Sequence, residues 1–211
     1  TGVQTCALPI SQARHWYGID LLALLGRFDE AQAELEIAYQ LDPLSAIITE
    51  GRGYLALLRR DFETAIRVYR EILRFDSSFH KAYASMGRAY LQWGKLSEAI
   101  SAFEEAERLG GATPSVQAGR GQALALAGRT GEALQALARF ESLEQARWIP
   151  AASFGIVKLG LGDYDGALDH FEQACDRREL AVAAFKVHPL YDPIRSHPRF
   201  QGLLRRANLL P

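Results

Sequence analysis

An alanine returns every 34 residues along this chain, at Ala31, Ala65, Ala99, Ala133 and Ala167. It closes the segments GRFDEA, RDFETA, GKLSEA, GRTGEA and GDYDGA. Other columns keep the same step. Gly26, Gly94, Gly128 and Gly162 share one register, with Arg60 in the remaining slot; Gly53, Gly87, Gly121 and Gly155 share a second. Leu35, Tyr69, Phe103, Leu137 and Phe171 form a column of large apolar residues. A chain that repeats itself at a fixed interval builds one supersecondary unit again and again, and each unit buries its apolar side on its neighbours. That constraint leaves little room for a sheet or a closed globule.

Each unit holds an apolar-periodic stretch, a Gly or polar break, and a second such stretch, which is the pattern of a helical hairpin. Glycine suits the end of the first helix because it enters the left-handed conformation without a Cβ clash. Asp29, Glu63, Ser97 and Asp165 fall at the start of the second helix, where acidic and hydroxyl groups meet unpaired N–H donors. Small columns let paired helices come within about 8–10 Å. Pro43, Ser77 and Gly111 separate one unit from the next. Alanine and leucine dominate and β-branched residues are sparse, which favours helix throughout.

These columns resemble the tetratricopeptide repeat, a helix–turn–helix unit of 34 residues. The resemblance implies an all-α, right-handed superhelical solenoid of five hairpins over residues 12–181, divided as 12–45, 46–79, 80–113, 114–147 and 148–181. It departs from the family pattern at Arg52 and Arg120, where a large apolar residue is expected, and at Ile19, where a small one is. Looser packing is expected there, and fraying or partial truncation of repeat one.

Residues 182–211 leave the pattern. Three prolines divide them, and Ser196 followed by HPRFQGLLRR reads as an N-cap and a short helix with Phe200, Leu203 and Leu204 on one face. A solenoid needs such a C-terminal cap, because its last repeat has no neighbour. YDPIRSHPRFQGLLRR also resembles the terminal segment of bacterial multidomain regulators, in which repeats of this kind follow a winged-helix, Ser/Thr kinase or cyclase domain. That resemblance implies an effector domain upstream. At the other end, TGVQTCALPI is the translation of ACT GGA GTT CAG ACG TGT GCT CTT CCG ATC, a string that resembles a short-read sequencing adapter. Residues 1–10 are therefore expected to be non-native, fused to a truncated reading frame.

Composition excludes several functions. Lys and Arg total 24 against 25 Asp and Glu, without the basic surplus of a dedicated nucleic-acid binder. No apolar run approaches the roughly 20 residues of a membrane span. Cys6 and Cys175 are too few for a disulfide framework or zinc-ligand spacing. The acidic stretch GDYDGALDHFE fails as a calcium loop, because Leu168 and Ala174 stand where that loop needs Gly and Glu. Asp165, Asp169, Glu172 and Asp176 then read as a solvated stripe, and Cys175 as a small buried hydrophobe. Arg67, Arg70 and Arg74 form a basic stripe on the second helix of repeat two, with Glu63 and Glu71 beside it at the spacing of ordinary surface ion pairs; the acidic second helix of repeat one (Asp29, Glu30, Glu34, Glu36) is a further complement. No nucleophile, base and orienting group occur together, so no enzyme activity and no cofactor are expected.

The remaining candidate is the concave face, which the first helices of a solenoid line. By register it presents Trp16, Asp20, Ile47, Glu50, Tyr54, Leu57, Lys81, Arg88, Leu91, Gln92, Gln122, Ile149 and Ile156. This mixed face is expected to bind a protein or peptide partner, or the chain's own upstream domain, with Lys81 and Arg88 preferring an acidic group. The Lys and Asn positions of the family's carboxylate-clamp subclass hold Trp16, Asp20, Glu50 and Tyr54 here, so that subclass is excluded. A cytoplasmic location is expected, or an extracytoplasmic one if a membrane span lies upstream.

Overall fold

A computed structural model describes residues 9–144 and 148–210. Most of the stretch expected to be non-native, residues 1–8, lies outside the described residues. Pro9 caps the first helix, and the described chain forms five consecutive helix pairs followed by a tail. The pairs are α1 (Ile10–Trp16, continued by a π-helical turn Tyr17–Ala23) with α2 (Phe28–Leu41), α3 (Ala46–Leu58) with α4 (Phe62–Phe75), and α5 (His80–Gln92) with α6 (Leu96–Ala106). Then come α7 (Pro114–Leu126) with α8 (Thr130–Glu144), and α9 (Ala151–Gly160) with α10 (Tyr164–Asp176). The tail holds two 3-10 turns, Leu180–Ala184 and Pro189–Ile194, and α11 (Pro198–Arg206). Each second helix packs on the first helix of the next pair, and the first helices form a continuous row. The result is an all-α superhelical solenoid.

The columns do what the period demands. Ala31, Ala65, Ala99, Ala133 and Ala167 are all fully buried, as are Tyr69, Phe103 and Phe171. The small column makes room for those rings. A methyl group on Gly87 would come within 2.7 Å of the Phe103 ring, and one on Gly155 within 2.6 Å of Phe171. Phe103 also meets Gly119 of the next repeat at 2.6 Å from that notional methyl, so one ring locks two repeats.

Repeat one keeps the design by a different route. Gly26 lies eight positions after Gly18, whereas Arg60 lies seven after Gly53 and Gly94 seven after Gly87. The π-helical turn Tyr17–Ala23 absorbs the extra residue, as such turns do. Gly18, not Ile19, therefore approaches the second helix, with Leu35 3.5 Å from its notional methyl. Ile19 is itself buried, so the looser packing expected there is corrected.

The two arginine departures are also resolved. Arg52 lies over the Tyr39 ring at 4.2 Å and near Glu36 at 3.9 Å. Arg120 pairs with Glu104 at 3.5 Å and Glu107 at 3.4 Å. Each reaches the second helix of the preceding repeat, so polar contacts and the aliphatic stem replace the expected apolar packing. The acidic helix α2 pairs with Arg14, Arg52 and Arg59, not with the arginines of α4. The helix caps differ from expectation as well. Asp61 and Asp163, two residues ahead of Glu63 and Asp165, accept the N–H groups of Thr64 and Gly166.

The tail seals repeat five. Its Glu179 carboxylate is buried and accepts the N–H groups of Ala151 at 2.7 Å and Ala152 at 3.0 Å, capping α9 from outside. Phe200, Leu203 and Leu204 are buried on α10 beside Phe171, Phe185 and Tyr191. His197 rather than Ser196 caps α11, its Nδ1 accepting the Arg199 N–H. The acidic stripe of α10 is not merely solvated: Arg199 pairs with Asp165, Asp169 and Glu172, and Arg206 with Asp176. Cys175 is half-buried, which raises its thiol pKa.

Candidate functional site

The row of first helices carries a polar cluster at helical spacing. Glu50 and Tyr54 stand one turn apart on α3, and Lys81, Ser85 and Arg88 stand on one face of α5. Arg88 donates to Ser85 Oγ at 3.1 Å, and the Ser85 hydroxyl donates to Glu50 Oε1 at 2.6 Å. This relay joins repeats two and three. Desolvation raises the Glu50 carboxyl pKa, against the Ser85 hydrogen bond and the charges of Arg88 and Lys81, which lower it. Burial pushes the Tyr54 hydroxyl up to about 12.

The predicted residues divide into those a partner could meet and those it could not. Trp16, Asp20 and Lys81 are exposed; Ile47, Glu50, Tyr54, Arg88, Gln92 and Ile156 are partly so. Leu57 and Ile149 are fully buried, and Leu91 and Gln122 nearly so. Those four belong to the interior. Gln122 lies against Gly160, where a methyl would come within 2.9 Å of its backbone.

Sequence reasoning missed who already stands at this face. The tail crosses from repeat five to repeats one and two. Val187 joins the array's core cluster and lies 3.8 Å from the notional methyl of Gly26. The buried His188 ring faces Tyr54 with centroids 6.1 Å apart. Asp192 takes both branches of the Arg60 guanidinium, Nη2 at 2.8 Å and Nε at 3.2 Å. Burial first, then the nearby Arg88, pushes His188 down to about 3. Its Nδ1 accepts the Leu190 N–H at 3.0 Å and so caps the 3-10 turn that presents Asp192.

Arg195 fastens this turn from behind. It donates to the carbonyls of Phe185, Lys186 and His188, and to Asp192 Oδ1 at 2.8 Å. One signal in the sequence pointed to this contact. Arg60 is the single break in the Gly26 column, and it adopts the same left-handed conformation as its glycine equivalents, φ 64° against 77° for Gly94.

Among the described residues, no group of His, Cys, Asp and Glu is arranged to hold a metal ion. None of the helices described is long and apolar enough to cross a membrane.

Comparison with known proteins agrees with this architecture. The tetratricopeptide repeat family pattern matches residues 19–78 and 85–146. Human tetratricopeptide repeat protein 13 is 34% identical over 87 residues, covering 41% of this chain and 10% of that protein. The TPR repeat-containing thioredoxin TDX of Arabidopsis thaliana is 37% identical over 84 residues, 40% of this chain and 22% of its own length. The chain thus spans only a small part of these curated relatives. A thermophilic TPR protein of Thermus thermophilus superposes with a TM-score of 0.63 at 23% identity, over 82% of this chain and 98% of that one. The Cut9–Hcn1 hetero-tetramer of the APC/C gives 0.63 at 16% identity, over 93% of this chain and 42% of that one. Both likenesses concern the fold.

Proposed function

The chain belongs to the tetratricopeptide repeat family, and from that premise we propose that it is a protein-interaction scaffold whose concave face takes a peptide segment of a partner. The observation that carries this reading is the relay Arg88–Ser85–Glu50 beside Tyr54. It places donors, an acceptor and an aromatic ring on adjacent first helices, partly open to water. Apolar surface at Tyr54, Ile47 and Ile156 supplies burial, and Lys81 with Arg88 supplies attraction for a carboxylate. No step of this reading needs a cofactor or a catalytic group. Panning the chain against a displayed peptide library tests it. Selected peptides are expected to lose binding when Tyr54 and Arg88 are both changed to alanine; unaltered binding to that variant would sink the proposal.

We further propose that units 12–45, 46–79, 80–113, 114–147 and 148–181, with the cap 182–211, form the sensing arm of a larger cytoplasmic signalling regulator. Similarity of YDPIRSHPRFQGLLRR to the closing segment of such regulators supports this. The source DNA on the 5′ side of the Ser11 codon decides it. A frame running into a winged-helix, kinase or cyclase domain is the expected result. A start codon immediately upstream would instead make the protein a free-standing adaptor.

A further inference from the structure

A cap has no need to reach repeats one and two. Repeat five is already sealed by Glu179, Phe200, Leu203, Leu204, Arg199 and Arg206. Yet Val187, His188 and Asp192 contact Gly26, Tyr54 and Arg60, the last across 132 positions of sequence. Within the Gly26 column, the array keeps a non-glycine residue in a left-handed turn at the one place where that residue meets the tail. The tail is shaped to match. Pro189 opens the turn and Pro193 lies within it, His188 caps it through its own ring, and Arg195 ties the carbonyls of Phe185, Lys186 and His188 just ahead of it. It therefore arrives at the face with little left to order.

We infer that Val187–Asp192 is a resident occupant of the concave face, and that the face accepts from a partner protein a segment of the same chemistry: an aromatic ring set against Tyr54 and, four residues later, a carboxylate held by Arg60. This rests on the concave-face reading above and names the partner class for it. The tail's geometry supplies the template. His188 caps the 3-10 turn and Asp192 lies within it, so ring and carboxylate both reach repeat two from one short, stiff segment. A partner must displace a competitor tethered to the same chain, whose effective concentration is on the order of millimolar for short linkers. The face is thus selective for segments that offer both groups, since either alone leaves the tail the better ligand.

The test uses a fluorescent peptide, KVHPLYDPIR, and the full chain. Asp192→Asn loosens the tail and leaves Arg60 and Tyr54 intact; Arg60→Gly loosens the tail and removes the guanidinium. Hydrogen exchange over residues 187–194 is expected to accelerate about fivefold in both variants, the effect of an exposed ion pair with good geometry. Peptide affinity is expected to rise about fivefold for Asp192→Asn over wild type and not to rise for Arg60→Gly. A peptide with its Asp replaced by Asn is expected to lose that gain. Unchanged exchange in Asp192→Asn, or an equal gain in both variants, overturns the inference. Library peptides that depend on Tyr54 and Arg88 but do not compete with KVHPLYDPIR overturn it while leaving the concave-face reading standing. Peptides indifferent to Tyr54 and Arg88 remove that reading itself.

Discussion

Two contacts hold this molecule in opposite ways. Phe103 sits between Gly87 and Gly119, an apolar ring in an apolar slot whose counterparts recur at Tyr69 and Phe171. Asp192 sits on Arg60, a charged pair at an exposed turn, between distant parts of the chain and with no counterpart in other repeats among the described residues. The first kind of contact is local, redundant and buried; the second is singular, polar and half-open to water. The array is held by what its repeats share, and the tail by the residues in which one repeat differs from the rest.

The largest way to break this contrast is Phe103→Ala. It removes a fully buried ring that serves two repeats, and a loss of about 3–5 kcal/mol in global stability is expected from denaturant unfolding. Exchange in the tail should then rise only as far as the whole array loosens.

A smaller effect comes from acid. His188 is held neutral down to about 3 when folded and titrates near 6.5 when unfolded. The unfolded chain therefore binds the extra proton, and the contribution of this group is complete above pH 6.5 and shrinks as pH falls through that window. Arg88, Arg60 and Arg195 face it as cations and Asp192 as an anion, so the balance of neighbouring charge opposes its protonation. Stability is expected to fall by at most about 1.4 kcal/mol per pH unit from this group between pH 6 and 4. His188→Gln should flatten that part of the curve, and an unchanged slope would refute the assignment.

The smallest effects come from exchanging the turns. Gly94→Arg places a side chain at φ 77° in open space, and is expected to cost about 1–2 kcal/mol. Arg60→Gly relieves the same conformation while losing an exposed ion pair of at most about 1 kcal/mol, so global stability should change little. Equal losses in the two variants would show that the Arg60 turn carries no special role.

The architecture was legible because its causes are periodic. Ala99 and Phe103 have counterparts in every repeat and Gly87 in all but the first, each by the same physical need, so a single chain displays its own alignment. The π-helical turn was not legible: Ile19 reads as a misfit until Gly18 is seen to take its place across one extra residue. The face was legible in part. Register alone brought Glu50, Tyr54, Lys81 and Arg88 together, but it could not tell that Leu57, Leu91 and Gln122 are buried. The tail's destination was hidden because it depends on the accumulated curvature of five repeats, which no local pattern encodes. Arg60 marked the spot only as an exception to its column.

Joining the tail to repeat two changes how such a chain can come apart and come together. A row of repeats ordinarily frays from its ends, since each end unit has one neighbour instead of two. Here the second repeat gains a neighbour from the far end, so loss of order at one terminus is felt at the other. Assembly of the hairpins needs only near contacts and proceeds quickly, whereas the Arg60–Asp192 contact encloses a loop of 132 positions and must wait for every intervening hairpin. Its formation therefore reports on the array as a whole, because the two residues meet only across the folded hairpins between them.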